Sequence, residues 1–258
     1  MDAYNPITLR KSGITKAITS KFALASFDER EVTLLNVYKG VPIAYAASVT
    51  KVINDRLTVK VHKNQALCLN IEGQTFIRSR LFEKPIKAKV MSVNTLEQVA
   101  ILTDFSFANS SIGKREAVRV DTEREDQVNV VIISRNSDMR LLGKLNDISS
   151  TGIGVDVIAL PEVINENFAT GSWVYVSLNL PVPGIRVDRE IILPGTVRYS
   201  GSNQETHSLG IQISPDKETE ARIHAYIAHR HTEILSEVEQ YSDNYRGTIN
   251  TNNWWYPT

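Results

Sequence analysis

Two series of short segments in which apolar and polar residues alternate constrain the fold of this 258-residue chain more than any other feature. In the first series the alternation is clearest at 57–62, 75–81 and 86–90. A period of two with β-branched residues is typical of half-buried antiparallel strands, and several such strands at short spacing predict a small barrel or sandwich. The second series comprises 128–134, 141–148, 152–157, 173–180, 191–199 and 208–213. The chain is therefore predicted to be mostly β, with two small β-barrel domains in series.

The hydrophobic period changes after Pro215-Asp216, a plausible helix start. From there apolar residues recur at near-helical spacing among Glu, His and Arg, at Ile223, Ile227, Ile234 and Val238. We expect one helix to close the second barrel. Residues 1–30 carry a weaker pattern, which allows a short helix around 14–25.

Between the two series lies a polar bridge without an apolar stripe, and the domain boundary is placed there. The predicted organisation has five parts: an N-terminal segment of unknown role at 1–30, a β-barrel domain at 31–108, a linker at 109–126, a second β domain with its helix at 127–241, and a polar and aromatic tail at 242–258.

The charge balance limits the classes of partner. Lys+Arg and Asp+Glu both number 29, so the chain has no general attraction for nucleic acid or for an anionic membrane surface. The apolar stretch 41–49 is shorter than the roughly 20 residues that span a bilayer. Cys68 is the sole cysteine and lies in an apolar run, which indicates a core residue and suits a reducing compartment. We expect a soluble cytoplasmic protein without membrane insertion.

Two short motifs have side chains that suit a guanine nucleotide. Arg115 and Arg119 stand four apart in the linker, and Asp147, Ser149 and Gly152 follow at the end of the second strand of the second series. A guanidinium donates two hydrogen bonds to phosphate oxygens or to guanine O6 and N7. A carboxylate accepts from the other guanine edge, a serine hydroxyl donates to phosphate, and a glycine lets backbone approach a ligand.

The two motifs differ in how often chance produces them. With 16 arginines in the chain, an Arg pair at this spacing is expected about once, whereas an Asp/Asn-x-Ser-x-x-Gly pattern is expected about 0.1 times. The second motif is therefore the more specific of the two.

Each motif also has a structural interpretation without a ligand. The arginines lie among five acidic groups at 116–126, which fits a solvated charged surface joined by salt bridges. Asp147–Gly152 also fits an ordinary turn between strands. The occurrence of both motifs in this order favours ligand binding.

Other motifs give no catalytic or metal site. His224, His229 and His231 lack the spacing that places a metal pair on one helical face. The aromatic run 254–256 either covers an apolar patch or contacts a partner. Because no nucleophile elbow, P-loop or dinucleotide fingerprint is present, the chain is predicted not to be an enzyme and to need no cofactor.

The paired motifs resemble the signature of PilZ domains, over roughly 114–240. The segments 195–199 and 209–213 and the closing helix are similar to the rest of that domain. The first β series resembles, by pattern and order, the N-terminal domain of YcgR-like flagellar-brake proteins.

The resemblance implies a receptor for cyclic di-GMP, a guanine dinucleotide second messenger. Because the bridge is charged and has few apolar groups, we expect it to be loosely held and to close over the ligand on the second barrel, which would re-aim the first domain. Arg115 and Arg119 would contact guanine and phosphate, Asp147 would recognise guanine, and Ser149 and Gly152 would shape the phosphate side. Lys114 stands where several family members have Arg or a bulky apolar residue, a position implied to affect whether one or two ligands bind.

The implied output is control of motility or biofilm formation through the flagellar motor or another protein partner. Two alternatives are a transcription regulator that responds to cyclic di-GMP and a structural adaptor whose PilZ domain binds no ligand.

Overall fold

The structure, a computed structural model, describes residues 6–108, 118–122, 128–182, 190–203 and 206–245. These residues form strands and helices in two compact units. The first unit comprises Met1–Tyr38, Pro42–Arg115 and Leu235–Thr258, and the second comprises Lys39–Val41 and Glu116–Ile234.

The first unit contains a closed antiparallel barrel of six strands. The strands are β1 Glu31–Tyr38, β2 Val41–Ile53, β3 Arg56–Lys60, β4 Gln74–Ser79, β5 Ile86–Asn94 and β6 Val99–Phe107. They are joined in the order β1-β2-β3-β6-β5-β4. Alternate residues point inward, among them Leu34, Leu57, Ile77 and Leu102, and these form the buried core. The predicted barrel is confirmed.

Two helices accompany this barrel. Helix α1, Pro6–Leu24, includes the segment for which a helix was expected, and its Ile18 and Phe22 join the barrel core. A short 3-10 turn follows at Asp28–Arg30. Helix α2, Lys63–Glu72, corrects the prediction of strands throughout this region.

The ends of α2 explain where it starts and stops. The His62 side chain accepts a hydrogen bond from the Asn64 backbone N–H at 3.2 Å, which caps the N-terminus. Gly73 takes the left-handed conformation, with φ of 65°, at the C-terminus. Glu72-Gly73 therefore marks the end of this helix.

The second unit contains another six-stranded barrel. Its strands are β8 Asn129–Ser134, β9 Arg140–Ser149, β10 Gly152–Val157, β11 Trp173–Leu178, β12 Ile191–Asn203 and β13 Thr206–Ile213. The order β10-β13-β12-β11-β8-β9 closes through pairing of β10 with β9. All six strands follow the second predicted series. A short helix that the sequence analysis did not predict, α3 Pro161–Asn167, lies between β10 and β11.

The closing helix, α4, runs from Lys217 to Tyr245. Asp216 caps it by accepting from the Thr219 backbone N–H at 2.8 Å. Its apolar stripe is buried at Ile223, Ile234 and Val238. The helix extends four residues into the segment 242–258 that was predicted to be a tail, and the aromatic run 254–256 lies outside the described residues.

A further strand, β7 Val120–Asp121, lies within the segment predicted to be a linker. It pairs with Ile148 and Asp147 of β9, and the Val120 side chain is fully buried. This part of the bridge is therefore an added strand on the second barrel, not a loosely held connection.

Cys68 is fully buried, as expected of a core residue. Burial, followed by the charge of Glu72, raises the pKa of its thiol to about 12. Among the described residues no group of three or more His, Cys, Asp and Glu side chains is placed to hold a metal ion. In the same part of the chain no helix combines the length and the apolar composition needed to cross a bilayer.

A candidate ligand site on the second barrel

The fold brings together one residue from each predicted motif. Arg119 immediately precedes β7, and Asp147 lies on β9, the strand with which β7 pairs. The Arg119 Nη1 atom is 3.4 Å from the Asp147 Oδ1 atom. Their side chains are 40% and 24% exposed, so both can be reached from solvent. A donor fork and an acceptor therefore lie side by side on the outer surface of the barrel.

The short strand β7 is held in place by a buried arginine of α4. The Arg230 Nε atom donates to the backbone oxygen of Asp121 at 3.0 Å, and its Nη1 atom contacts Glu233 at 3.1 Å. The Arg230 side chain is almost fully buried. Because Asp121 is two residues from Arg119, this contact fixes the backbone that positions the Arg119 guanidinium.

A second carboxylate adds negative charge beside Asp147. Asp121 and Asp147 are register partners across β7 and β9. Burial and then the charge of Asp147 raise the pKa of Asp121, while Lys39 and Arg230 act in the opposite direction. The site thus has a carboxylate pair on one side and the Arg119 guanidinium beside it.

A strip of two glycines extends from Asp147 across the barrel surface. Gly154 of β10 is the register partner of Asp147, and Gly210 of β13 is the partner of Gly154. A Cβ atom on Gly154 would lie 2.6 Å from Asp147 Oδ2, so the carboxylate occupies the space that a side chain would take. Neither glycine of the strip carries a side chain of its own, and the Asp147 carboxylate lies over Gly154.

Tyr199 of β12 bounds the other end of this strip. It is the register partner of Gly210, and its side chain is exposed. Its ring lies over Gly201, where a Cβ atom would meet the hydroxyl. From Asp147 to Tyr199 the row crosses three strand spacings, or about 14 Å. An aromatic ring at this place can contact a base by stacking.

The sequence analysis did not single out Gly154, Gly201, Gly210 or Tyr199 as site residues. For the three glycines the sequence signal is the occurrence of glycine at outward strand positions, where a side chain is usually needed. That signal becomes specific only once the register aligns the glycines.

The remaining residues of the second motif support the turn between β9 and β10. The Ser149 hydroxyl is buried and donates to the Gly152 backbone oxygen at 3.1 Å. A Cβ atom on Gly152 would lie 3.3 Å from the Ile211 backbone oxygen, so glycine permits the close approach of β13. The roles of Ser149 and Gly152 at a phosphate stay predictions. Lys114 and Arg115 lie outside the described residues, and their roles also stay predictions.

Comparison with protein families gives a match to the PilZ domain at residues 113–229. The matched range includes Arg119, Asp147 and the glycine strip. No curated protein is similar enough to the chain to count as a relative.

Several solved structures are remotely similar. The Bacillus subtilis inhibitor of motility MotI/DgrA is 14% identical over 80% of this chain and 97% of its own, with a TM-score of 0.39. Escherichia coli YcgR in complex with c-di-GMP is 12% identical over 95% and 100%, with a TM-score of 0.39. The K. pneumonia MrkH–c-di-GMP complex is 10% identical over 91% and 96%, with a TM-score of 0.36.

Proposed function

We propose, on the premise that residues 113–229 form a PilZ domain, that this protein is a receptor for cyclic di-GMP and not an enzyme. The observation that carries the proposal is the Arg119–Asp147 pair beside the glycine strip. In the proposed complex a guanine lies over Gly210, with its edge toward the Asp147 carboxylate that covers Gly154. Asp147 accepts from its N1–H and 2-amino groups, and Arg119 donates to O6 and N7 or to a phosphate.

The Arg119–Asp147 ion pair is weak enough for both side chains to exchange it for contacts with a ligand. A distance of 3.4 Å is longer than the roughly 2.7–2.9 Å of a strong charge-assisted hydrogen bond. A partly exposed ion pair of this kind contributes about 0–1 kcal/mol to stability. A ligand that forms hydrogen bonds with both Arg119 and Asp147 therefore breaks only a weak interaction between them.

The proposal extends to Lys114 and Arg115, which precede Arg119 on the chain. We expect Arg115 to supply the second guanidinium for guanine or phosphate. Lys114 is expected to influence whether one or two ligands bind. Ligand binding then changes the arrangement of the two domains, and the receptor signals to a protein partner in the control of motility or biofilm formation.

Titration calorimetry of the full chain with cyclic di-GMP tests the ligand and its stoichiometry. Cyclic di-AMP is the matched control, because adenine lacks the N1–H and 2-amino donors and would leave Asp147 unpaired. We expect saturable binding of the guanine form and far weaker binding of the adenine form. Equal affinities would show that Asp147 does not recognise the base, and no heat with either would favour the structural adaptor.

Small-angle scattering with and without saturating cyclic di-GMP tests the change in domain arrangement separately. We expect the scattering profile to change on ligand addition. If the scattering profile of a ligand-saturated sample is unchanged, the protein still binds cyclic di-GMP, but the proposed change in domain arrangement is wrong.

A further inference from the structure

Four neighbouring strands of the second barrel present an apolar outer surface that the ligand site does not use. Its largest members are Leu142 on β9, Trp173 and Tyr175 on β11 and Ile192 on β12, and we call these four residues the aromatic face. They are 74%, 56%, 41% and 62% exposed, respectively. Exposed apolar residues scattered singly need no explanation, whereas a contiguous patch of this kind marks an interaction site.

The strand register shows that the aromatic face is contiguous. Tyr175 is paired with Ile133 of β8 on one side and with Pro194 of β12 on the other. One row further along, Val131 of β8 is paired with Leu142. Rows of outward side chains are about 7 Å apart along a strand, and four strands span about 14 Å. The surface is therefore broad enough for two turns of a helix.

Basic side chains flank the aromatic face. The Arg135 guanidinium is 5.9 Å from the centre of the Trp173 ring, and Arg140 is paired with Ile133. Lys144 is exposed two residues beyond Leu142. Two carboxylates lie nearby: that of Glu190, which accepts a hydrogen bond from the Ser177 hydroxyl, and that of the exposed Asp138 in the turn between β8 and β9. Cations thus outnumber carboxylates around the apolar centre in the described part of this surface.

We propose that the aromatic face is the docking surface for an acidic amphipathic helix of a partner protein. Each of the four strands is paired on both sides, so no free backbone edge is offered and the occupant must bind through side chains. An apolar stripe covers the aromatic face, and carboxylates beside it pair with Arg135, Arg140 and Lys144. The proposal names the chemistry of the partner to which the proposed receptor signals.

Two other occupants fit the surface less well. A second copy related by two-fold symmetry would bring the same surface against itself, so that Arg135, Arg140 and Lys144 of both copies meet as like charges. Insertion into a bilayer takes apolar groups that reach about 5–10 Å below the headgroups. The residues of the aromatic face instead lie on a sheet surface beside Arg135 and Arg140. These arginine side chains are longer than the apolar side chains of the aromatic face, so the apolar groups do not project beyond the charged ones.

Photocrosslinking tests the occupant directly. Benzoylphenylalanine is incorporated at Tyr175 of the full chain in the cells that naturally make it, and at Ile158, an exposed residue away from these four strands, as the control. We expect an adduct at position 175 whose crosslinked peptide is acidic and has apolar residues at helical spacing. Arg140→Glu should lower its yield at least fivefold, while Lys217→Glu, at the start of α4, should leave it unchanged.

The other outcomes overturn the proposal. An adduct with a second copy, with lipid or with a peptide that lacks acidic excess identifies a different occupant. A crosslinking yield at position 175 that is no higher than the yield at position 158 shows that no partner occupies the aromatic face. Calorimetry of Arg140→Glu with cyclic di-GMP separates the two proposals, because the aromatic face contains neither Arg119 nor Asp147 and ligand affinity should stay within twofold.

Discussion

At the scale of single residues, the proposed ligand site consists of groups whose contacts in the structure are weak. Arg119 and Asp147 are partly exposed, at 40% and 24%, and are loosely paired, and the two glycines of the strip carry no side chains of their own. Preorganisation of this kind lowers the cost of binding, because the strands already fix the carboxylate and the guanidinium at one place.

Replacing Arg119 with Ala is expected to weaken cyclic di-GMP binding roughly 5- to 150-fold, since a lost bidentate guanine contact costs about 1–3 kcal/mol. Arg115→Ala should have a similar effect, and the double variant should lose measurable binding. Titration calorimetry measures the affinity of the two single variants and of the double variant. Arg140→Ala, at the other end of β9, is the matched control and should bind as the wild type does. Unchanged affinity in the double variant would remove both arginines from the site.

Replacing Gly154 with Ala is expected to weaken cyclic di-GMP binding at least fivefold while the protein remains folded. The new Cβ atom would meet the Asp147 carboxylate at 2.6 Å, and that carboxylate must then move away from the guanine edge. Calorimetry measures the affinity, and thermal unfolding measures the stability.

Gly143→Ala, on the same strand as Asp147, provides the contrasting result. A Cβ atom at Gly143 would lie 2.7 Å from the Val155 and Val157 side chains and 2.8 Å from the Asp156 backbone oxygen. Its stability should fall through overpacking, whereas the folded fraction should keep its affinity. If Gly154→Ala instead behaves like Gly143→Ala, the glycine strip supports the fold and not the ligand.

The sequence predicted Arg119 and Asp147 as site residues because the chemistry of each is visible without a structure. Gly154 and Tyr199 could not be found in this way, since their role depends on the register that places Asp147, Gly154, Gly210 and Tyr199 in one row. Ser149 was singled out for a phosphate, and its hydroxyl is occupied within the turn.

At the scale of elements, alternation identified all six strands of the second barrel and three of the first, β3, β4 and β5, because each barrel buries one face of every strand. It failed at α2, where six consecutive residues are buried and two of them, Asn64 and Gln65, are polar, so the sequence shows no amphipathic helical stripe. It failed at α3 because seven residues hold too little periodicity. The strand β7 was missed because it contributes only Val120 to the core, inside a charged segment.

The pairing of β7 should be visible in hydrogen exchange of the free protein. The Asp121 N–H donates to the Lys39 backbone oxygen and the Thr122 N–H donates to that of Asn146, so both amides should be protected. Arg230→Ala removes a charged hydrogen bond worth about 1.5–3 kcal/mol, so these amides should exchange roughly 10- to 150-fold faster. The ligand should also bind more weakly, because Arg119 loses its fixed backbone.

Lys217→Ala, on the same helix, is the control and should leave the exchange of Asp121 and Thr122 unchanged. Equal protection in the wild type and in Arg230→Ala would mean that pairing with β9 alone holds β7. Within 110–124, the bridge that was expected to be mobile without ligand, exchange of the amides of 110–117 is expected to slow when cyclic di-GMP is added, because the ligand phosphates would recruit Arg115.

At the scale of the whole molecule, each unit has a buried core of its own. Leu34, Leu57 and Leu102 belong to the first, and Ile132, Val176 and Leu193 belong to the second. The sequence predicted this division from the two strand series and placed the boundary in the polar bridge. It could not show that α4 contributes to both units, because helical periodicity is the same whichever surface the helix buries.

Cyclic di-GMP is therefore expected to stabilise one unit and not the other. A ligand at 100 times its Kd raises the free energy of unfolding of the unit that binds it by about 2.7 kcal/mol. Native-state hydrogen exchange in low denaturant measures each unit separately, through amides of β3 in the first barrel and β11 in the second. We expect the full gain at β11 and none at β3.

Equal gains at β11 and β3 would show that the two units unfold together, so that the free energy of ligand binding also stabilises the first barrel. A gain at β3 alone would place the ligand on the first barrel and contradict the site on β9. Arg119→Ala at the same ligand concentration should lose roughly 0.9–2.4 kcal/mol of the gain at β11, as its 5- to 150-fold weaker binding requires. That loss ties the stabilisation to the site and not to a general effect of the nucleotide.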